Sequence, residues 1–146
     1  MTTIAFAEGT IAADSQMTSG GAKLRIKKLH RLSDGSLFAG SGEVALISRM
    51  LKWAEAGFPE KPRPRITEDS EIECIVVRPN GAIWLVDDKL EPLEIDEPFA
   101  AIGSGFAYAL GAMACGKSAV EAVEIAARFD ADTSAPLHTM ELQEKK

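Results

Sequence analysis

Thr2 carries the side chain best placed to become a self-activated nucleophile. Removal of Met1 would leave Thr2 with its own α-amine beside its hydroxyl. That amine, with an ordinary pKa of ~7.7–8.0, can take the hydroxyl proton without help from a histidine. Any Met-Thr start has this property, and an ordinary first strand would begin the same way. The pattern needs support from elsewhere in the chain.

A second chemical pattern runs from Gly111 to Ser118, GAMACGKS, and matches the phosphate-binding loop G-x-x-x-x-G-K-S. There, backbone amides would cradle phosphates, Lys117 would reach the terminal ones and Ser118 would hold magnesium. Residues 83–87, an apolar run ending in Asp87, resemble the strand that supplies the magnesium-side carboxylate. Such a loop requires a strand directly before its first glycine, whereas residues 106–114 are helix-forming. Only 28 residues follow Ser118, too few for the parallel strands of a nucleotide-binding fold. A helix ending at Gly116 and another starting at Ser118 fits better.

Other centres are thinner. Cys74 and Cys115 are 41 positions apart with apolar neighbours, which suggests reduced core thiols rather than a disulfide. His30 and His138 are isolated, so no zinc spacing exists. Sixteen Lys and Arg against 22 Asp and Glu leave a net charge of −6, which gives no pull toward nucleic acid. The start lacks a basic region, and no apolar run approaches the ~20 residues of a membrane span. A cytoplasmic protein is expected.

The elements that must position this chemistry follow from periodicity. Residues 2–7 and 10–14 read as strands around a Glu8-Gly9 turn. Residues 23–32 alternate and read as one strand, and 37–39 as another. Val44, Ile47, Leu51 and Ala54 recur at helical spacing over 43–56, and Gly57 ends that helix. Three prolines make 58–65 a connector. Residues 72–77 and 82–86 flank Asn80-Gly81, a hairpin signal. Residues 99–102 lead into Gly103-Ser104-Gly105. Residues 107–129 read as two helices meeting near Gly116, with Ser118 as N-cap of the second. Residues 135–142 suggest a last strand before a charged tail. Helices segregated from antiparallel hairpins indicate an α+β chain, one domain over residues 1–146.

Several ordered motifs then converge. Thr2-Thr3-Ile4, Ile11-Ala12-Ala13-Asp14-Ser15-Gln16-Met17-Thr18 and Lys27-Lys28-Leu29-His30-Arg31-Leu32 resemble the opening of proteasome β-type subunits. The same stretches resemble the bacterial HslV (ClpQ) peptidase family, of the N-terminal-nucleophile hydrolases. The resemblance continues through Phe38-Ala39-Gly40 and Ala101-Ile102-Gly103-Ser104-Gly105-Phe106-Ala107-Tyr108-Ala109. It fades over residues 122–127 and returns faintly at His138-Thr139-Met140-Glu141-Leu142.

The resemblance implies a four-layer αββα sandwich of two antiparallel sheets. It implies a threonine endopeptidase acting on unfolded polypeptides inside a homo-oligomeric ring, a hexamer or heptamer that can stack. An AAA+ unfoldase would feed that ring. By the same resemblance Thr2 attacks the scissile carbonyl, Lys28 keeps the amine neutral and Asp14 holds Lys28. The Gly40 N–H would bind the oxyanion, and Ser104 would hydrogen-bond around the amine. Ile26, His30 and Phe38 would face the first specificity pocket. No metal is implied for the chemistry, although a monovalent cation such as Na+ would sit on carbonyls between Ala127 and Thr133. Asp130 matches a family aspartate, with Thr133 where a serine usually follows.

The strand pattern agrees on one point. Lys28 shares a face with Ile26 and Leu24, the face expected to point inward, and a lone inward lysine needs a partner such as Asp14. The chain departs from the family after Trp53, where the proline-rich stretch replaces helical sequence that helps build ring contacts. A catalytically silent ring of the same fold is the alternative.

Overall fold

Strand alternation sorts the first hairpin onto two buried faces. A computed structural model describes residues 2–67 and 70–143; Met1 and residues 144–146 of the charged tail lie outside the described residues. Strands β1 (Thr3–Ala7) and β2 (Thr10–Ala13) pair antiparallel. Glu8 and Gly9 between them both have positive φ, 48° and 80°, which matches the twist of a two-residue hairpin. Ile4, Phe6, Ile11 and Ala13 point one way, and Ala5, Ala7 and Ala12 the other. Both faces are covered, so both carry apolar side chains.

The expected single strand over 23–32 is broken. Strands β3 (Gln16–Ser19) and β4 (Ala22–Arg25) form a separate ribbon around Gly20-Gly21, and β5 (Leu29–Arg31) starts after an irregular stretch. All of β4 is exposed, Leu24 at 47%. Leu24 therefore does not share an inward face with Lys28, because the ribbon pairs with neither larger sheet and leaves β4 exposed while Lys28 is buried. The Ile26 N–H donates to the Ser15 carbonyl at 2.8 Å, which anchors the chain where it turns back toward the core.

Strand β6 (Leu37–Gly42) leads into helix α1 (Val44–Glu55). Gly57 ends α1 with φ 88°. Its N–H bonds the Ala54 carbonyl at 3.0 Å, and the Phe58 N–H bonds that of Trp53 at 2.9 Å. The two rings meet edge-on at 4.9 Å, completing a glycine-ended stop. Strands β7 (Ile72–Val77) and β8 (Ile83–Asp87) form the predicted hairpin, with Gly81 at φ 90°. Strand β9 (Leu93–Ile95), which the sequence reading did not anticipate, pairs with β8. Strand β10 (Phe99–Gly103), helices α2 (Phe106–Ala114) and α3 (Ala119–Phe129), and strand β11 (His138–Glu141) complete the chain.

The strands form two larger antiparallel sheets, ordered β10-β1-β2-β11 and β5-β6-β7-β8-β9. One apolar cluster joins Ile4, Phe6 and Ile11 of the first sheet to Leu37, Ile75 and Val77 of the second. Another packs Phe38, Cys74 and Val76 against Met50 and Trp53 of α1. A third packs Ala5 and Ala12 against Ala109, Met113, Ala122 and Val123 of α2 and α3. The chain is thus mixed α+β with antiparallel sheets. Among the described residues no helix is long and apolar enough to cross a membrane.

The phosphate-loop pattern dissolves into a helix junction. Gly111 lies inside α2, preceded by helix rather than strand. The Gly116 N–H bonds Met113 at 3.0 Å and the Lys117 N–H bonds Ala112 at 3.1 Å, closing α2. Ser118 then caps α3 reciprocally with Glu121, and Lys117 lies half-exposed 3.9 Å from the Glu121 carboxylate. The cysteine expectation also needs correcting. Cys74 is core, but Cys115 is exposed because it caps the end of α2.

Candidate active site

Thr2 and Thr3 part company at the start of β1. Alternation carries Thr2 with Ile4 and Phe6 toward the second sheet, and Thr3 with Ala5 and Ala7 toward α3. Both threonines are buried, and each hydroxyl ends in a polar network.

The Thr2 network centres on Asp14, which follows β2 and is fully buried. Its Oδ1 accepts from the Thr2 hydroxyl, from Lys28 Nζ at 2.8 Å and from the Thr3 N–H at 3.1 Å. Its Oδ2 accepts from the Gln16 N–H at 3.1 Å and the Ser134 N–H at 3.2 Å. Five donors fill the acceptor sites of one carboxylate, which lets a charge sit without water. Lys28 Nζ also donates to the Thr2 hydroxyl oxygen, so one ammonium bridges the carboxylate and the hydroxyl. Burial lowers the Lys28 ammonium below the usual lysine value, opposed by the hydrogen bond and charge of Asp14.

The Thr3 network runs the other way. Its hydroxyl lies 2.7 Å from that of Thr133, which donates to Asp130 Oδ2 at 2.5 Å. Ser104 donates to the same oxygen at 2.6 Å, and the Ser104 hydroxyl lies 3.2 Å from the Thr2 carbonyl oxygen. Burial pushes the Asp130 carboxyl up, but the hydroxyls of Ser104 and Thr133 and the Asp132 N–H outweigh it and hold it below its usual value. Glycines flank Ser104 for a steric reason. A Cβ on Gly103, at φ 98°, would lie 2.1 Å from the Thr2 carbonyl oxygen, and one on Gly105 2.0 Å from the Thr3 hydroxyl.

Thr2, Lys28 and Gly40 line one cleft of about 380 Å³, with Gln16, Ile26 and Ile47. A hydroxyl, a buried ammonium and a glycine backbone on one cleft are groups that acyl transfer can use. Among solved structures, the chain is similar to Thiobacillus denitrificans BPH, at 25% identity over 99% of each chain with a TM-score of 0.67. It is similar to that protein in complex with epoxomicin, at 23% identity over 98% of this chain and 99% of that one, TM-score 0.68. Eukaryotic HslV from Trypanosoma brucei matches at 22% identity over 96% of this chain and 98% of that one, TM-score 0.71. The chain has the fold of HslV. No protein-family model and no curated protein matches the sequence.

On this HslV fold the five predicted residues fall into two linked groups. Thr2, Asp14 and Lys28 are bonded together with Gly40 on the same cleft, and Ser104 reaches Thr2 through its carbonyl. Ile26 lines the same cleft. His30 and Phe38 do not line it. His30 lies in a separate groove with Leu51 and Met140, and Phe38 is fully buried against α1. Strand alternation explains both: His30 and Phe38 are partners across β5 and β6, on the face that packs toward α1. Thr3, Gln16 and Ser134 were not singled out from the sequence. For Thr3 the signal was available, since a polar residue opening a strand buried on both faces must bond to something. The Ser134 and Gln16 contacts run through backbone N–H groups, which residue type does not reveal.

Proposed function

We propose that the chain is a threonine endopeptidase that hydrolyses peptide bonds of unfolded polypeptides. The observation that carries this reading is the buried Thr2 hydroxyl, bonded to both Asp14 and Lys28 at the end of the cleft that Gly40 lines. The BPH structure with epoxomicin supports it, as does the HslV fold. Removal of Met1, which lies outside the described residues, frees the Thr2 amine. The amine takes the hydroxyl proton while Oγ1 bonds the scissile carbonyl carbon. The Lys28 ammonium disfavours a second positive charge on the amine and faces the developing alkoxide. The Gly40 N–H donates to the oxyanion; losing such a donor typically costs ~10²–10³ in rate. The protonated amine passes its proton to the leaving amine, an ester forms on Thr2, and water attacking that ester releases the acid.

Ser104, Asp130, Thr133 and Thr3 set the orientation of the Thr2 backbone, and so the direction of its amine. The four-layer arrangement, α1 outside one sheet and α2 and α3 outside the other, comprises one domain over residues 1–146 in this reading. A Na+ ion held by backbone carbonyls between Ala127 and Thr133 would brace the loop after α3, and no chemical step runs through it. Phe106, Tyr108, Leu110 and Phe129 are exposed on α2 and at the end of α3. Self-association into a hexameric or heptameric ring would cover such a surface, and an AAA+ unfoldase would supply the chamber in a cytoplasm. No membrane and no nucleic acid enters this function.

The test is hydrolysis of an unfolded protein by Met1-free chain, compared with Thr2→Ala. Hydrolysis that disappears in Thr2→Ala is the expected result. Assembled particles without hydrolysis would overturn it in favour of a catalytically silent ring.

A further inference from the structure

The cleft beside Thr2 has an aliphatic wall, made by Met17 on β3, Ile26 after β4, and Val44 and Ile47 on the first turn of α1. Ile47 stands directly against Gly40. A Cβ built on Gly40 would lie 2.9 Å from Ile47 Cγ2 and 3.1 Å from its Cγ1. A substrate carbonyl placed between Thr2 and the Gly40 N–H would lie in this same cleft, within reach of the Ile47 side chain.

We propose that Ile47 sets the depth of this pocket, so that the enzyme selects branched aliphatic residues of leucine or valine size on the carbonyl side of the cleaved bond and rejects aromatic ones. This rests on the peptidase reading. The wall holds no aromatic ring to stack on an aromatic guest, and its backing is dense. Ile47 packs against the cluster of Phe38, Met50 and Cys74, so it cannot retreat without displacing close-packed atoms. Charged guests fare badly for separate reasons. The Lys28 ammonium is engaged by Asp14, and the exposed Glu43 at the mouth repels acidic side chains. A basic guest would have to strip its water against Met17, Ile26 and Val44.

The test uses Met1-free full chain and reporter peptides that differ only in the residue before the cleaved bond: Leu, Val, Phe, Asp or Arg. Leu and Val are expected to exceed Phe, Asp and Arg in kcat/KM by about tenfold or more, the scale at which a hydrophobic pocket discriminates size. Ile47→Ala is expected to raise Phe to within about threefold of Leu. Ser48→Ala, exposed on α1 and outside the cleft lining, is expected to keep the wild-type order. Turnover with Phe, Asp or Arg equal to Leu in the wild type, or an order unmoved by Ile47→Ala, would overturn the proposal and leave the peptidase standing. No turnover of any peptide, with Thr2 also unreactive to an epoxyketone, would overturn the peptidase reading and this inference together.

Discussion

The Lys28 ammonium lies 2.8 Å from Asp14 Oδ1, with the Lys28 side chain 6% exposed and that of Asp14 0%. Removing one partner strands the other charge in the interior, and breaking such a pair costs about 3–5 kcal/mol. Asp14→Ala should lower the urea midpoint accordingly. The double replacement Asp14→Asn with Lys28→Met, which keeps an acceptor oxygen among the Thr3, Gln16 and Ser134 N–H groups, should recover part of that stability and none of the hydrolysis. Recovery of both would show that the pair has no part in the chemistry.

The Ser104, Asp130 and Thr133 contacts join the loop after α3 to Thr2 and Thr3, and in the proposed reading they orient the Thr2 backbone as well as stabilise it. Thr133→Ser keeps a hydroxyl toward Thr3 and Asp130 and should be close to wild type. Thr133→Val loses both bonds and should cost about 1–3 kcal/mol, the penalty of leaving buried partners unpaired. Its hydrolysis rate should fall with it, read from the same preparations by thermal melt and by turnover. Equal behaviour of the two variants would remove Thr133 from the account.

Two neighbouring positions at the α2–α3 junction should behave oppositely. Lys117→Ala, at a half-exposed side chain with a 3.9 Å ion pair, should shift stability by under about 0.5 kcal/mol and leave activity unchanged. Ser118→Ala removes a reciprocal cap and should cost about 1 kcal/mol. Loss of nucleotide binding in Lys117→Ala would revive the phosphate-loop reading.

Glu73 faces Asp87 across β7 and β8. Partial loss of water around its carboxyl, and then the charge of Asp87, push this otherwise exposed side chain above its usual value. The folded chain therefore takes up this proton more readily than the unfolded chain. The resulting stability is present below the ordinary value of 4.5 and is lost as pH rises through the raised one. Glu73→Gln removes the like-charge pair and should stabilise by about 0.2–1 kcal/mol at pH 7. That gain should shrink toward zero as pH falls below the ordinary value, as melts at several pH values would read.

Much of the fold was legible where periodicity met a stop signal. The helix at 43–56 and its end at Gly57 could be read because apolar spacing and a glycine coincide there. The Gly116 to Ser118 junction could be read because helix-stop and helix-start residues follow one another, and this correctly weakened a phosphate-loop match. The ribbon of β3 and β4 misled. Leu24 and Ile26 alternate as if buried, but no sheet lies beneath Leu24, and alternation alone carries no information about what covers a face. The proximity of Thr2, Asp14 and Lys28 was legible only through the resemblance in residue order. Thr2, Asp14 and Lys28 are brought together by β1, β2 and the irregular stretch before β5, and no local pattern could pair them. His30 and Phe38 were misplaced because their strands face α1, a matter of register that the sequence leaves open.

The central claim is that Thr2 is an activated N-terminal nucleophile. The most direct measurement is the intact mass of Met1-free protein before and after incubation with a peptide epoxyketone, with the modified residue mapped. The account predicts one covalent adduct on Thr2, abolished by Thr2→Ala and slowed by Asp14→Asn. A Met1-free chain that stays unmodified, or carries its adduct on another residue, would contradict it.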